Sequence, residues 1–203
     1  MKALARLGVV VVTVTGLSLA AQAQPVAEKP KISVGDKWVF NQATADGKTT
    51  TWSREIVEVP SADQLKVRLG NGNVADYDGV MNFMPEGKAD YVRVLAKYPL
   101  KVGDTWSFSR KFANPGTAEE GKAKVVAFES LTVPAGTFQC YRVEAEASLT
   151  NKAYKENRTW TRWYCPDVKW MAKETLDTKT TSRESGSSAT SETSELVKFI
   201  PGK

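Results

Sequence analysis

The chain has 203 residues, with 28 Lys and Arg against 23 Asp and Glu, a formal net charge of +5 and no histidine. So small and evenly spread a positive excess argues against a nucleic-acid partner, which needs a concentrated basic face. The lack of histidine removes Ser-His-Asp and Cys-His catalysis and histidine-ligated zinc, and no cofactor is expected.

Residues 1–23 read as a secretory signal. Lys2 and Arg6 supply a positive start, residues 7–20 are apolar or small, and Ala21-Gln22-Ala23 is a small-x-small cleavage site. The apolar run falls short of the roughly 20 residues that span a bilayer, so cleavage is favoured over an uncleaved anchor. The mature form is then expected to have no transmembrane segment, and no cysteine stands near the site to carry a lipid. A bacterial periplasm, or secretion beyond it, is the expected location. A flexible leader over 24–31 precedes a single domain over 32–200, long enough to bury a core.

Within the domain, Val34-Gly35-Asp36-Lys37-Trp38-Val39-Phe40 reappears as Val102-Gly103-Asp104-Thr105-Trp106-Ser107-Phe108. The repeat predicts two similar halves, 32–98 and 99–200, in which Gly-Asp turns the chain and Trp and Phe share one face of the next strand. Strands are expected over 50–59, 64–69, 74–84 and 91–96, with a hairpin turn at Gly70-Asn71-Gly72-Asn73 and another turn at 85–88. Asp76-Tyr77-Asp78-Gly79 resembles a calcium-loop fragment, but Val74 and Pro85 stand where the first and twelfth ligands belong, so these acids read as solvated turn residues. In the second half strands are expected over 106–112 and 122–128, separated by a turn at Asn114-Pro115-Gly116.

A strand starting at Thr137 and returning through Arg158 to Cys165 forms a hairpin about Lys152-Ala153. This register sets Tyr141 opposite Tyr164, Val143 opposite Arg162, Ala145 opposite Trp160 and Cys140 opposite Cys165. Side chains alternate, so Tyr141, Val143, Ala145, Ala147 and Leu149 share an apolar face. Directly opposed cysteines suit the short span of a disulfide, and an oxidising compartment favours Cys140–Cys165 over two reduced, buried thiols. Further strands are expected at 168–176 and 196–200. The Thr/Ser/Glu-rich stretch 178–194 reads as two exposed strands with a Ser-Gly-Ser-Ser tip, a disordered tail being the alternative.

No segment has long helical periodicity. The fold class is therefore all-β, with about ten antiparallel strands in a strongly curved sheet, a half-barrel or partly open barrel. Trp38, Trp106, Tyr141, Trp160, Trp163 and Trp170 are the candidate ligand-lining residues of its concave face. Core packing is the plainer account of such tryptophans.

Tyr98-Pro99-Leu100-Lys101-Val102-Gly103-Asp104-Thr105-Trp106, Val133-Pro134-Ala135-Gly136-Thr137-Phe138, Trp163-Tyr164 before Val168-Lys169, and Glu195-Leu196-Val197 together resemble the TapB-like group of bacterial exported proteins, whose function is not known. V-P-A-G-T-F is the most specific part, and the likeness covers about the last hundred residues. Cys165 and Asp167 stand where the group commonly has a small residue and then a Gly-Val pair, which suggests that the disulfide belongs to a subgroup. The resemblance implies a curved sheet of the bacterial lipoprotein-carrier type and, by analogy of fold alone, a binding cleft. It transfers no catalytic residue.

Three readings follow. The first is an exported, non-catalytic protein that shelters an apolar or lipid-like small molecule. The second is an envelope interaction or structural protein that offers an edge strand or the Thr/Ser-rich hairpin to a protein partner. The third is a carboxylate hydrolase using Asp36, Asp104, Glu144 and Glu146, disfavoured because Gly-Asp is ordinary turn chemistry and the two glutamates sit on a polar cross-strand face.

Overall fold

The computed structural model describes residues 25–85, 88, 91–112 and 116–203. The expected signal over 1–23, and much of the turns expected at 85–88 and 114–116, lie outside the described residues. Ten strands alternate in the way the sequence patterning requires: β1 Lys37–Thr44, β2 Thr49–Ser61, β3 Gln64–Leu69, β4 Val74–Asp78, β5 Thr105–Lys111, β6 Ala118–Val133, β7 Gly136–Thr150, β8 Tyr154–Cys165, β9 Trp170–Ser182 and β10 Gly186–Ile200. All pairs are antiparallel, in the order β4-β3-β2-β1-β10-β9-β8-β7-β6-β5. The protein is thus all-β, one curved ten-stranded sheet that is not closed into a barrel, with β4 and β5 at its two edges.

The two V-G-D copies do the same local work. Gly35 and Gly103 take φ of 90° and 99°, which glycine adopts without a steric penalty. Asp36 and Asp104 donate their backbone N–H groups to Ser33 and Lys101 to close the turns. Each turn then clamps its strand to the next. Gly35 donates to Ile56, which donates to Asp36, and Gly103 and Asp104 repeat the exchange with Val125.

The apolar side chains of the strands line one inner face. Trp38 and Phe40 in β1, Val67 in β3, Trp106 and Phe108 in β5, and Tyr141, Val143, Ala145 and Ala147 in β7 are all buried. In β6, Gly121 lies beneath the Phe108 ring, where a Cβ would come within 2.3 Å of that ring. The hairpin register is the expected one, with Tyr141 opposite Tyr164, Val143 opposite Arg162 and Ala145 opposite Trp160. Cys140 and Cys165 are joined by a disulfide, with Cα atoms 4.2 Å apart. The Val133-Pro134-Ala135-Gly136 turn reaches across the end of the sheet, where Ala135 donates to the Leu196 carbonyl at 3.0 Å.

Residues 79–104 connect one sheet edge to the other, and their described part packs Met81, Leu95, Ala96 and Leu100 onto the inner face. The strand expected at 91–96 is absent. The expected alternation is not kept, since Val92, Leu95 and Ala96 are the buried residues, and the backbone bonds to side chains instead of to a neighbouring strand. Leu95 and Ala96 both donate to Asn82 Oδ1 at 3.0 Å, and Val94 accepts from Trp106 Nε1 at 2.8 Å. The strand expected over 74–84 stops at Asp78, which turns the chain by accepting from Val80 and Asn82. Asp78 is therefore not a solvated turn residue. Burial pushes its carboxyl above the usual range, against the pull of those hydrogen bonds. Asp76 is paired with Lys66.

Paired backbone begins before Ile32: Ala27 and Leu100 exchange two hydrogen bonds of 2.9 Å, and Lys29 holds Ala62 and Asp63. Residues 178–194 are the far arms of the β9–β10 hairpin, turned at 183–185.

Candidate functional site

The six residues expected to line a cleft are divided by strand parity and by the 79–104 cover. Trp38 is inaccessible to solvent and donates Nε1 to the Val168 carbonyl at 2.7 Å. Trp106 is tied to the cover, Trp160 lies beneath the Arg93 guanidinium at 4.7 Å, and Tyr141 packs against Phe128 at 4.7 Å. Trp163 lies three positions from Trp160 and so takes the opposite face, where its Nε1 donates to Glu129 at 2.8 Å. Of the six, Trp170 alone borders the inner-face cavity described next. Its ring meets Trp38, Phe40 and Trp52 edge-on at 5.6, 5.7 and 6.2 Å.

That cavity has a volume of about 580 Å³ and lies between the inner face of β1–β4, β5 and β8–β10 and the covering segment. Trp52, Leu69, Met81, Phe83, Leu95 and Met171 form its apolar part. Arg54, Arg93, Arg110 and Arg162 face it as well. Arg93 makes a two-point contact with Glu119, whose carboxylate is 1 % exposed, and Arg110 approaches the same carboxylate at 3.8 Å. Arg162 pairs with Glu174. Arg54 lies 4.8 Å above the Trp52 ring and donates to the Tyr77 hydroxyl and the Ser53 carbonyl, both at 2.9 Å.

Burial, and then the neighbouring Arg93 and Arg158, push the Arg110 guanidinium below its ordinary pKa, with Glu119 working against them. Burial acts in the same direction on Arg162, but there Glu174 and Tyr164 outweigh it and raise the pKa. Burial lifts the Tyr164 hydroxyl.

These arginines were missed in the sequence, although a signal was present. Arg54 stands two residues from Trp52 and Ile56, Arg110 two from Phe108, and Arg162 two from Trp160 and Tyr164. An arginine in the aromatic register of its strand faces the same side as those aromatics.

The four carboxylates of the hydrolase reading are not brought together. Asp36 is 0 % exposed and accepts from Lys169 Nζ at 2.9 Å on both oxygens, from Gly202 at 2.7 Å and from Ser33 at 2.7 Å. Asp104 is exposed, six strand spacings away in the sheet order. Glu144 and Glu146 are exposed and paired with Arg142 and Lys122. Among the described residues no group of three His, Cys, Asp or Glu side chains is placed to hold a metal. No helix among them is long and apolar enough to cross a membrane.

The DUF3108-like family model matches residues 113–185, just over a third of the chain. That span contains both the V-P-A-G-T-F turn and the Trp163-Tyr164 segment, and the matching model carries this name and not the TapB-like one. No curated protein matches the chain. A presumed exported protein of YmcC-like fold from Bacteroides fragilis is similar in structure, with 16 % identity over 86 % of this chain and 99 % of its own and a TM-score of 0.42. A presumed lipoprotein from Parabacteroides distasonis is 16 % identical over 87 % of this chain and 100 % of its own, with a TM-score of 0.47. The hypothetical lipoprotein YmcC from Escherichia coli K12 is 10 % identical over 83 % of this chain and 87 % of its own, with a TM-score of 0.43.

Proposed function

We propose that the chain is an exported, non-catalytic protein that binds an apolar, lipid-like ligand between the sheet and its 79–104 cover. The observation that carries this reading is the cavity of about 580 Å³ edged by Trp52, Trp170, Met81 and Met171. Its size lies within the range of small-ligand sites, roughly 300–1,000 Å³, and aromatic and Met side chains adapt to an irregular apolar body. The signal-like start and the disulfide support an oxidising location outside the cytoplasm.

The test is native mass spectrometry of the protein purified from its own envelope, followed by organic extraction. The expected result is a reproducible apolar passenger that Trp170→Ala releases while the far-ultraviolet circular dichroism and a cooperative unfolding transition persist. A bare mass from gentle preparations, with no uptake of an added fluorescent fatty-acyl probe, overturns the reading.

One observation favours the envelope-partner alternative. β1 reaches to Glu192 on β10 and Ala45 donates to the Ser191 carbonyl, so residues 186–190 of β10 are exposed and pair with β9 alone. Capture of a partner that is lost when 183–191 are replaced by a short turn is the outcome expected of that alternative.

A further inference from the structure

Four guanidiniums face a cavity to which the lining residues contribute one carboxylate, Glu174. Glu119 serves Arg93 and Arg110 together, and it contacts them unequally. It makes close hydrogen bonds to Arg93 and leaves Arg110 at 3.8 Å, beyond hydrogen-bond length. Arg110 Nε is shielded from solvent and has no hydrogen-bond partner. Arg158, the cation next to Arg110, is matched by Glu156. At the rim, Glu192 accepts from Gln42. Among the described residues, Arg54 is the one guanidinium of the four without a carboxylate contact, held between the Trp52 ring, Tyr77 and Ser53.

Desolvated cations left short of a counter-charge are costly, and a ligand that supplies one removes that cost. Guanidinium donors match the paired oxygens of a phosphate, sulfate or carboxylate. The apolar part of the same cavity suits a hydrocarbon body, so the two chemistries belong to one amphipathic molecule.

We infer that the cavity selects an amphiphile with an anionic terminus, its charged oxygens facing Arg54 and Arg110 and its apolar body lying over Trp52, Trp170 and Met171. This rests on the binding reading above and specifies the ligand class. Arg93 and Arg162 act mainly through their carboxylates and hold the positive rim in place.

The experiment titrates the disulfide-bonded mature chain with decyl phosphate, decyl maltoside and inorganic phosphate, each below any micellar concentration, and follows heat and tryptophan fluorescence. Decyl phosphate is expected to bind about tenfold or more tighter than decyl maltoside. Arg54→Gln is expected to lower the affinity for decyl phosphate about tenfold and that for decyl maltoside by much less, so that the preference is lost. Arg54 has no carboxylate to strand among the described residues, so the variant is expected to fold. If it does not, the unaltered protein gives a second readout. Its affinity for decyl phosphate falls as salt rises from roughly 0.05 to 0.5 M, and its affinity for decyl maltoside does not.

Equal affinity for the two amphiphiles overturns the anionic selection and leaves the apolar-binding reading standing. Inorganic phosphate binding as tightly as decyl phosphate overturns the amphiphile. If neither amphiphile binds, both readings fail.

Discussion

Asp36 and Asp104 hold the third position of the same seven-residue pattern and close the same backbone turn, but only Asp36 is buried among donors. Its carboxylate ties together three distant parts of the chain: the Ser33 turn, Lys169 between β8 and β9, and Gly202 near the C-terminus. Lys169 holds this contact from a left-handed backbone conformation, φ 59°. Asp36→Ala leaves two N–H donors and an ammonium without their acceptor and is expected to cost about 3 kcal/mol. Asp104→Ala, at an exposed site, is expected to stay within about 0.5 kcal/mol. Urea unfolding of the two variants checks the contrast, and equal costs contradict it. The turn was legible because Gly-Asp is local chemistry. The anchoring was not, because Lys169 and Gly202 lie 133 and 166 residues away along the chain. The arginines fall between these cases: their facing was readable from parity with the aromatics, but their convergence on one cavity required the cover.

At the scale of the element, the β7–β8 hairpin was the most legible part of the fold. Its two strands are close in sequence, and a period-two pattern that buries one face fixes the register to the residue. The disulfide closes a sequence separation of 25 residues, and both cysteines are buried. Replacing both by Ala is expected to lower stability by about 3 kcal/mol in the chain-entropy model, read as a lower denaturant midpoint with a slope that rises slightly as the unlinked unfolded chain expands. An unchanged midpoint would show that the bond adds nothing to the packed hairpin. Residues 91–96 show why alternation alone misleads. They alternate in sequence, but the residues buried are Val92, Leu95 and Ala96, because Asn82 and not a neighbouring strand takes the amides of Leu95 and Ala96. Sequence patterning is silent on the hydrogen-bond partner, and without a strand partner the alternation does not set which side chains are buried.

For the molecule as a whole, the 79–104 cover turns an open sheet into a body with an inside. Asn82 is its fastening. It bonds Asp78, the Ala96 carbonyl and two amides, with 3 % of its surface exposed. Asn82→Ala is expected to release the cover locally, lowering hydrogen-exchange protection at Leu95 and Ala96 by about thirtyfold, equivalent to about 2 kcal/mol. The β7 amides are expected to keep theirs. A uniform loss across the sheet would instead mean that cover and sheet open as one unit. The strand count and curvature of this body were legible from the sequence. The sheet order was not, because it depends on one long-range pairing, β1 with β10, in which Trp38 meets Phe199 and Phe40 meets Leu196. That pairing also governs how the chain comes to exist. Synthesis runs from N- to C-terminus, so β1 is made early, acquires β2 at once, and keeps its other edge bare until the fifteen residues of β10 emerge. Until then the nascent chain is two unfinished meanders, each carrying an unpaired edge open to wrong partners. The last strand made is the one that joins them into a single sheet.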